Sequence, residues 1–196
     1  MSAINRLRKL KKLFCYCHKL EGVQQLGPLG NGGTVDVFAR LRLYSSATLR
    51  NFAGTANQYT INLHPGSILF LDNEAANLNR WDDTTPLTLD GAQLYVRNQN
   101  SAAVTVNEVV GNMTFARGSS IRLDKYLALG AVQVTAANLS RSGVGSTLTF
   151  LPQNAGNLGA NGTNDDAERF VVTGTVSGTI ANGMLPAYYI NGTDNT

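Results

Sequence analysis

The sequence predicts an all-β fold, a right-handed parallel β-helix (β-solenoid) preceded by a short N-terminal helical segment. Two observations predict the helix of strands. From Thr34 onward, short runs alternate apolar and polar residues, the period of a strand with one buried face. Four of these runs also recur in a fixed frame behind a glycine, with Gly-to-Gly intervals of 25, 27 and 27 residues. A period of roughly 20–50 residues marks an array of stacked units.

The frame reads Gly66-Ser67-Ile68-Leu69-Phe70-Leu71, Gly91-Ala92-Gln93-Leu94-Tyr95-Val96, Gly118-Ser119-Ser120-Ile121-Arg122-Leu123 and Gly145-Ser146-Thr147-Leu148-Thr149-Phe150. In each copy the third and fifth residues after the glycine are large and apolar. Leu69, Leu94, Ile121 and Leu148 are expected to form one inward column, and Leu71, Val96, Leu123 and Phe150 a second. Thr60–Leu63, Leu87–Leu89 and Met113–Phe115 alternate in the same way before the glycine, which serves as the corner. A unit of two strands cannot bury its inner face alone, but stacked units form a continuous apolar column. Their backbones then pair at about 4.8 Å spacing. About six coils are expected over residues 34–190. A sandwich of antiparallel hairpins uses similar strands and turns, but a near-constant period with apolar residues in frame favours the solenoid.

The chain divides into residues 1–33 and 34–196. The first part carries Arg6, Arg8, Lys9, Lys11, Lys12 and Lys19 with no acid before Glu21, leaving 10 basic and 13 acidic residues for the remainder. Ile4, Leu7, Leu10 and Phe14 fall near one helical face, interrupted by Arg6 and Lys11. Residues 24–33 are a Gly- and Pro-containing linker. The leader lacks the apolar core of a secretory signal, and no run is long and apolar enough to span a bilayer as a helix. Basic residues gathered in one short segment argue against a nucleic-acid partner. The helical leader is expected either to extend into solvent or to cover the first coil.

Chemistry-bearing groups are few. Cys15, Cys17 and His18 lack the spacing and number of a structural zinc site. There is no phosphate-binding GxxxxGK[ST] loop and no G-x-S-x-G elbow. Asp72, Glu74, Asp82, Asp83, Asp165, Asp166 and Glu168 lie mostly in expected loops, and none recurs in frame on successive coils. Glycosidase or lyase chemistry would require such acids to converge. His64 is expected to be an exposed corner residue. Trp81, beside Asp82, is the candidate for stacking on carbohydrate, while Tyr188-Tyr189 is expected to straddle the last strand. No catalytic residue, cofactor or metal is expected.

Asn79-Arg80-Trp81-Asp82, Leu87-Thr88-Leu89-Asp90-Gly91, Glu108-Val109-Val110-Gly111, Leu139-Ser140-Arg141, Leu148-Thr149-Phe150, Asn182-Gly183-Met184-Leu185-Pro186 and Asn191-Gly192-Thr193-Asp194 follow one another in order. Over roughly residues 55–196 this series resembles bacterial autotransporter-associated β-strand repeat proteins. The resemblance implies a structural or adhesive module of a secreted or cell-surface passenger. Its partners would be surface carbohydrate or a protein of a host or neighbouring cell, with further repeats in a longer parent protein. The sequence departs from that pattern in showing no signal peptide, barrel or anchor, as a fragment would. The alternatives are a carbohydrate-active β-helix enzyme, a polysaccharide lyase or hydrolase, and a phage tail-fibre-like binding protein.

Overall fold

Alternating side chains and a repeated frame require each strand to lie in register on its counterpart one unit earlier, and the computed structural model has that arrangement. It describes residues 12–15, 18–20, 33–44, 47–49, 59–73, 80–98, 105–125, 131–153, 158, 167–178 and 189–191. The described residues are all-β and form a parallel β-solenoid. One sheet, here the odd sheet, contains β1 (Lys12–Cys15), β3 (Thr34–Val37), β5 (Thr60–Leu63), β7 (Leu87–Asp90), β9 (Val106–Ala116), β11 (Val132–Arg141) and β13 (Glu168–Val172). The even sheet contains β2 (His18–Leu20), β4 (Arg40–Tyr44), β6 (Ile68–Asn73), β8 (Gln93–Asn98), β10 (Gly118–Lys125), β12 (Thr147–Pro152) and β14 (Tyr189–Asn191). All pairings between these strands are parallel.

The inward faces of the two sheets make the core. Val35, Val37, Ile61, Leu63, Leu87, Leu89, Met113 and Phe115 face it from the odd sheet, all buried. From the even sheet, Leu41, Leu69, Leu94 and Ile121 form one buried column, and Leu43, Leu71, Val96 and Leu123 another. The last expected members are displaced: Phe150 lies beside Ile121, Pro152 beside Leu123, and Leu148 beside Ser119. The cause is the corner before β12. Five residues, Ser142–Ser146, separate β11 from β12, whereas Arg117 alone separates β9 from β10. The shift of two residues equals the strand period, so Leu148 and Phe150 still point inward.

The corners themselves depart from the expected frame at one position. Gly66, Gly91 and Gly145 have left-handed φ of 76°, 62° and 82°, but Gly118 begins β10, and the left-handed residue there is Arg117, with φ 53°. Because β9 continues through Ala116, the turn is compressed to that single residue. At three corners a serine of the following coil accepts a backbone N–H: Gly91 donates to Ser119 Oγ (3.1 Å), Arg117 to Ser146 Oγ (3.1 Å) and Arg141 to Ser177 Oγ (2.7 Å).

The helical expectation for the leader is corrected where it is described. Lys12–Cys15 is in register with Thr34–Val37, and His18–Leu20 with Leu41–Leu43. These residues are strands, and their ladders run across the Gly/Pro-containing linker. Residues 1–11 lie outside the described part. The template offered by β3 and β4 outweighs a weak helical periodicity, since strand formation depends mainly on neighbours.

β9 and β11 are long enough to cover a third side of the coil. Their first halves, Val106–Val110 and Val132–Ala136, pair with each other, and the latter pairs on its other edge with β13. Earlier in the stack, the Leu49 N–H donates to Arg80 C=O (2.6 Å). Gly111 marks the bend of β9, donating to Thr85 C=O at 2.9 Å. A Cβ there would lie 2.3 Å from the Thr84 carbonyl oxygen, whereas one at Gly66 would meet nothing within 4 Å. Gly111→Ala is therefore expected to cost about 3 kcal/mol, because backbone must move. Gly66→Ala should cost only the left-handed strain of about 1 kcal/mol. Equilibrium denaturation of the two variants checks the order.

Candidate functional surface

On the even sheet, the residues between the inward leucines point outward and stack in their own columns. One runs Arg42, Phe70, Tyr95, Arg122; beside it runs Tyr44, Asp72, Arg97, Asp124. The backbone register places Lys19 next to Arg42. The Phe70 and Tyr95 rings are parallel, with centroids 4.2 Å apart. The guanidinium groups of Arg40, Arg42 and Arg97 lie 5.0, 5.3 and 5.1 Å from the Phe70 centroid, and that of Arg122 lies 4.7 Å from Tyr95. Planar cations over ring faces are favourable, more so where water is reduced.

Asp72 holds this ladder together. Fully buried, it accepts hydrogen bonds from Arg42 one coil earlier and from Arg97 one coil later, the latter at 2.8 Å from Nη2 and 3.2 Å from Nε. Burial alone would lower the Arg97 guanidinium, but its bonds to Asp72 and that carboxylate's charge raise it above the ordinary value. Tyr95 O–H donates to Asp124, and burial together with this bond pushes its pKa up to about 12. Four arginines against two aspartates leave the described face positive, with Arg40 exposed. Guanidinium groups carried on β4, β8 and β10 of a stack whose rungs are about 4.8 Å apart are suited to carboxylate or sulfate groups on a linear partner. The signal for this face was in the repeating frame: the fourth residues after three of its glycines are Phe70, Tyr95 and Arg122.

The individually selected residues serve other roles. Trp81 is corrected as a carbohydrate contact: it is fully buried, and its Nε1–H donates to Val109 C=O at 2.7 Å. The loop assignment missed that burial because the indole satisfies its polar edge within the third side. Asp72 belongs to the arginine clamp. Asp82 accepts from Thr84 N–H and Oγ1 at 3.2 and 2.9 Å, closing the turn into β7, and Asp83 is exposed. Buried Glu168 accepts from Lys125 N–H at 3.0 Å. His64 is half-buried rather than exposed, stacked on Phe38 with centroids 4.0 Å apart and 3.0 Å from Asp36. Cys15 and His18 lie at strand ends, and Tyr189 begins β14. Glu74, Asp165, Asp166, Cys17 and Tyr188 lie outside the described residues. Among the described residues, no three His, Cys, Asp or Glu side chains are grouped as metal ligands.

A buried polar cluster went unread in the sequence. Arg80 donates from Nε to Asn73 (2.8 Å), from Nη1 to Ala47 C=O (2.7 Å) and from Nη2 to Asp72 C=O (2.7 Å). Its backbone N–H donates to Glu108 Oε1 at 2.8 Å. Burial lowers Arg80 to about 10 against the opposing charges of Glu108 and Asp72. Burial raises Glu108 to about 8, although the N–H groups of Arg80 and Trp81 and the Arg80 charge oppose the shift.

Comparison with protein-family models, curated proteins and solved structures gives no match.

Glu108 keeps its proton to about pH 8 in the fold, while the unfolded chain releases it near the ordinary value of about 4.3. Between those values the folded state binds more protons, so stability falls as pH rises, by a few kcal/mol in all. Glu108→Gln is expected to flatten this slope between pH 5 and 8. Thermal melts of both proteins across that range check it.

Proposed function

We propose that the chain is a non-catalytic structural and adhesive module, and that the outer face of the even sheet is its adhesive surface. The observation that carries this is the Asp72 clamp, which ties arginines of the coils on either side of its own, Arg42 and Arg97, into one cationic ladder. A stalk gains stiffness from such cross-coil ties, and an adhesive gains an array of oriented donors. The partner is an anionic surface carbohydrate, bearing carboxylate or sulfate groups.

Placement on a bacterial secreted or cell-surface passenger, with further repeats in a longer parent, rests on the resemblance to autotransporter-associated β-strand repeats. A phage tail-fibre-like protein would use such a face in the same way. Nucleic acid fits less well. Base stacking needs free aromatic faces, whereas Phe70 is buried beneath arginines and Tyr95 lies between Phe70 and Arg122. A sugar-cleaving enzyme would need converging carboxylates, and Asp72 is committed to two arginines.

Purified protein is expected to retain polygalacturonate and sulfated glycans in a salt-sensitive manner and to release no cleavage products. Arg40→Ala and Arg122→Gln should each weaken retention about fivefold, corresponding to about 1 kcal/mol. Retention that ignores salt and both substitutions would exclude this face as the adhesive surface. Turnover of either polymer would instead support the enzyme reading.

A further inference from the structure

The left-handed corner at Arg117 is chemically out of place. Gly66, Gly91 and Gly145 occupy that conformation without a Cβ penalty, whereas a left-handed arginine is strained by about 1 kcal/mol or more. Its side chain crosses the preceding corner, with Cδ 3.5 Å from where a Cβ on Gly91 would lie. The guanidinium reaches Asp90 at 3.3 Å, in an ion pair whose side chains are 63% and 32% exposed. Such an exposed pair adds little stability. Folding alone therefore gives little reason for arginine at this corner.

Arg117 and Asp90 line an open hollow of about 590 Å³ on the outer side of the odd sheet. Thr88 and Ala116 complete that bank, and Ser142, Val144, Gly145 and Ser146 form the other. The opposite bank is held in shape: Ser142 N–H donates to Phe115 C=O (2.8 Å), Ser146 Oγ to Ser142 C=O (2.7 Å), and Arg141 Nε to Ser146 C=O (2.9 Å). Val144 projects from it fully exposed. The hollow thus combines a carboxylate acceptor, a guanidinium donor, hydroxyl groups and an exposed isopropyl group, within a volume suited to a small ligand.

We propose that this hollow binds one neutral pyranose residue of a glycan. The formal charges of Arg117 and Asp90 cancel, so the site favours an uncharged ligand rich in hydroxyl groups. Asp90 accepts from the sugar hydroxyls, Arg117 donates to sugar oxygens, and Val144 with Ala116 meets the C–H face. The inference rests on the adhesive reading of the module but uses a different face from the cationic ladder.

The test is titration of the full chain with glucose, galactose and mannose, observed by saturation-transfer NMR, with glucuronate and glucosamine alongside. Saturable binding of at least one neutral sugar is expected. Arg117→Gly and Arg117→Asn, both compatible with a left-handed corner, should weaken it roughly tenfold or more. The thermal midpoint of the glycine variant should be no lower than that of the parent. Asp90→Asn should weaken binding while retaining the fold. The proposal is overturned by absent neutral-sugar binding, by binding only of charged sugars, by unchanged affinity in both Arg117 variants, or by marked destabilisation of both. Arg40→Ala should leave this binding intact, so failure of the ladder and failure of the hollow remain distinguishable.

Discussion

The parallel register between successive coils is the constraint on which the rest of the structure depends. Each strand both templates the next coil and completes the hydrogen bonding of the one before. Its side-chain alternation must therefore keep phase with both neighbours. Corners may lengthen or shorten only in ways that preserve that phase. The five-residue corner Ser142–Ser146 does so by displacing β12 two residues relative to β10, leaving Leu148 and Phe150 on the inward face. A displacement of one would have turned them to solvent.

The same constraint organises the outer surface. Residues one strand position away from the core columns are stacked as strictly as the core itself, so chemistry placed there is repeated along the axis. Phe70 beneath Arg40, Arg42 and Arg97 is a consequence, as is Asp72 between arginines of the coils on either side. An exposed ion pair on an isolated strand contributes little. Here the carboxylate is fully buried while its arginine partners retain partial access to solvent. The backbone positions the partners before the pair forms, reducing the entropy lost in making it.

The inward columns were legible because two periodicities, two residues along a strand and about 27 along the chain, agreed at Leu69, Leu94 and Ile121. The outward ladder was encoded in that frame, yet reading single residues for chemistry passed over Arg42, Phe70, Tyr95 and Arg122. The leader misled because the apolar pattern of Ile4, Leu7, Leu10 and Phe14 suits a helix locally, while strand formation at Lys12–Cys15 depends on a template beginning at Thr34. Trp81 misled for a related reason. Its flanking residues resemble a loop, and only Val109 in the next coil reveals that its indole is internal. The family resemblance rests on motif order and finds no match among the families and structures compared.

The buried acids show why the core of this solenoid is not wholly apolar. Where the even sheet gives way to the third side, the chain changes direction and its backbone N–H groups lose regular partners. Glu108 Oε1 receives the N–H of Arg80, and Glu168 Oε1 receives that of Lys125. Buried Asn73 and Asn98, adjacent in the even-sheet register, accept from Arg80 Nε and donate to Ala131 C=O, respectively. Replacing buried charged groups by apolar side chains is often neutral elsewhere, because the cost of desolvating them offsets their attraction. At this corner an apolar substitute for Glu108 would leave the Arg80 N–H without its acceptor, incurring the penalty of an unmade buried hydrogen bond. Retaining a carboxyl that holds its proton to about pH 8 is thus a consequence of turning a parallel ladder through a third side.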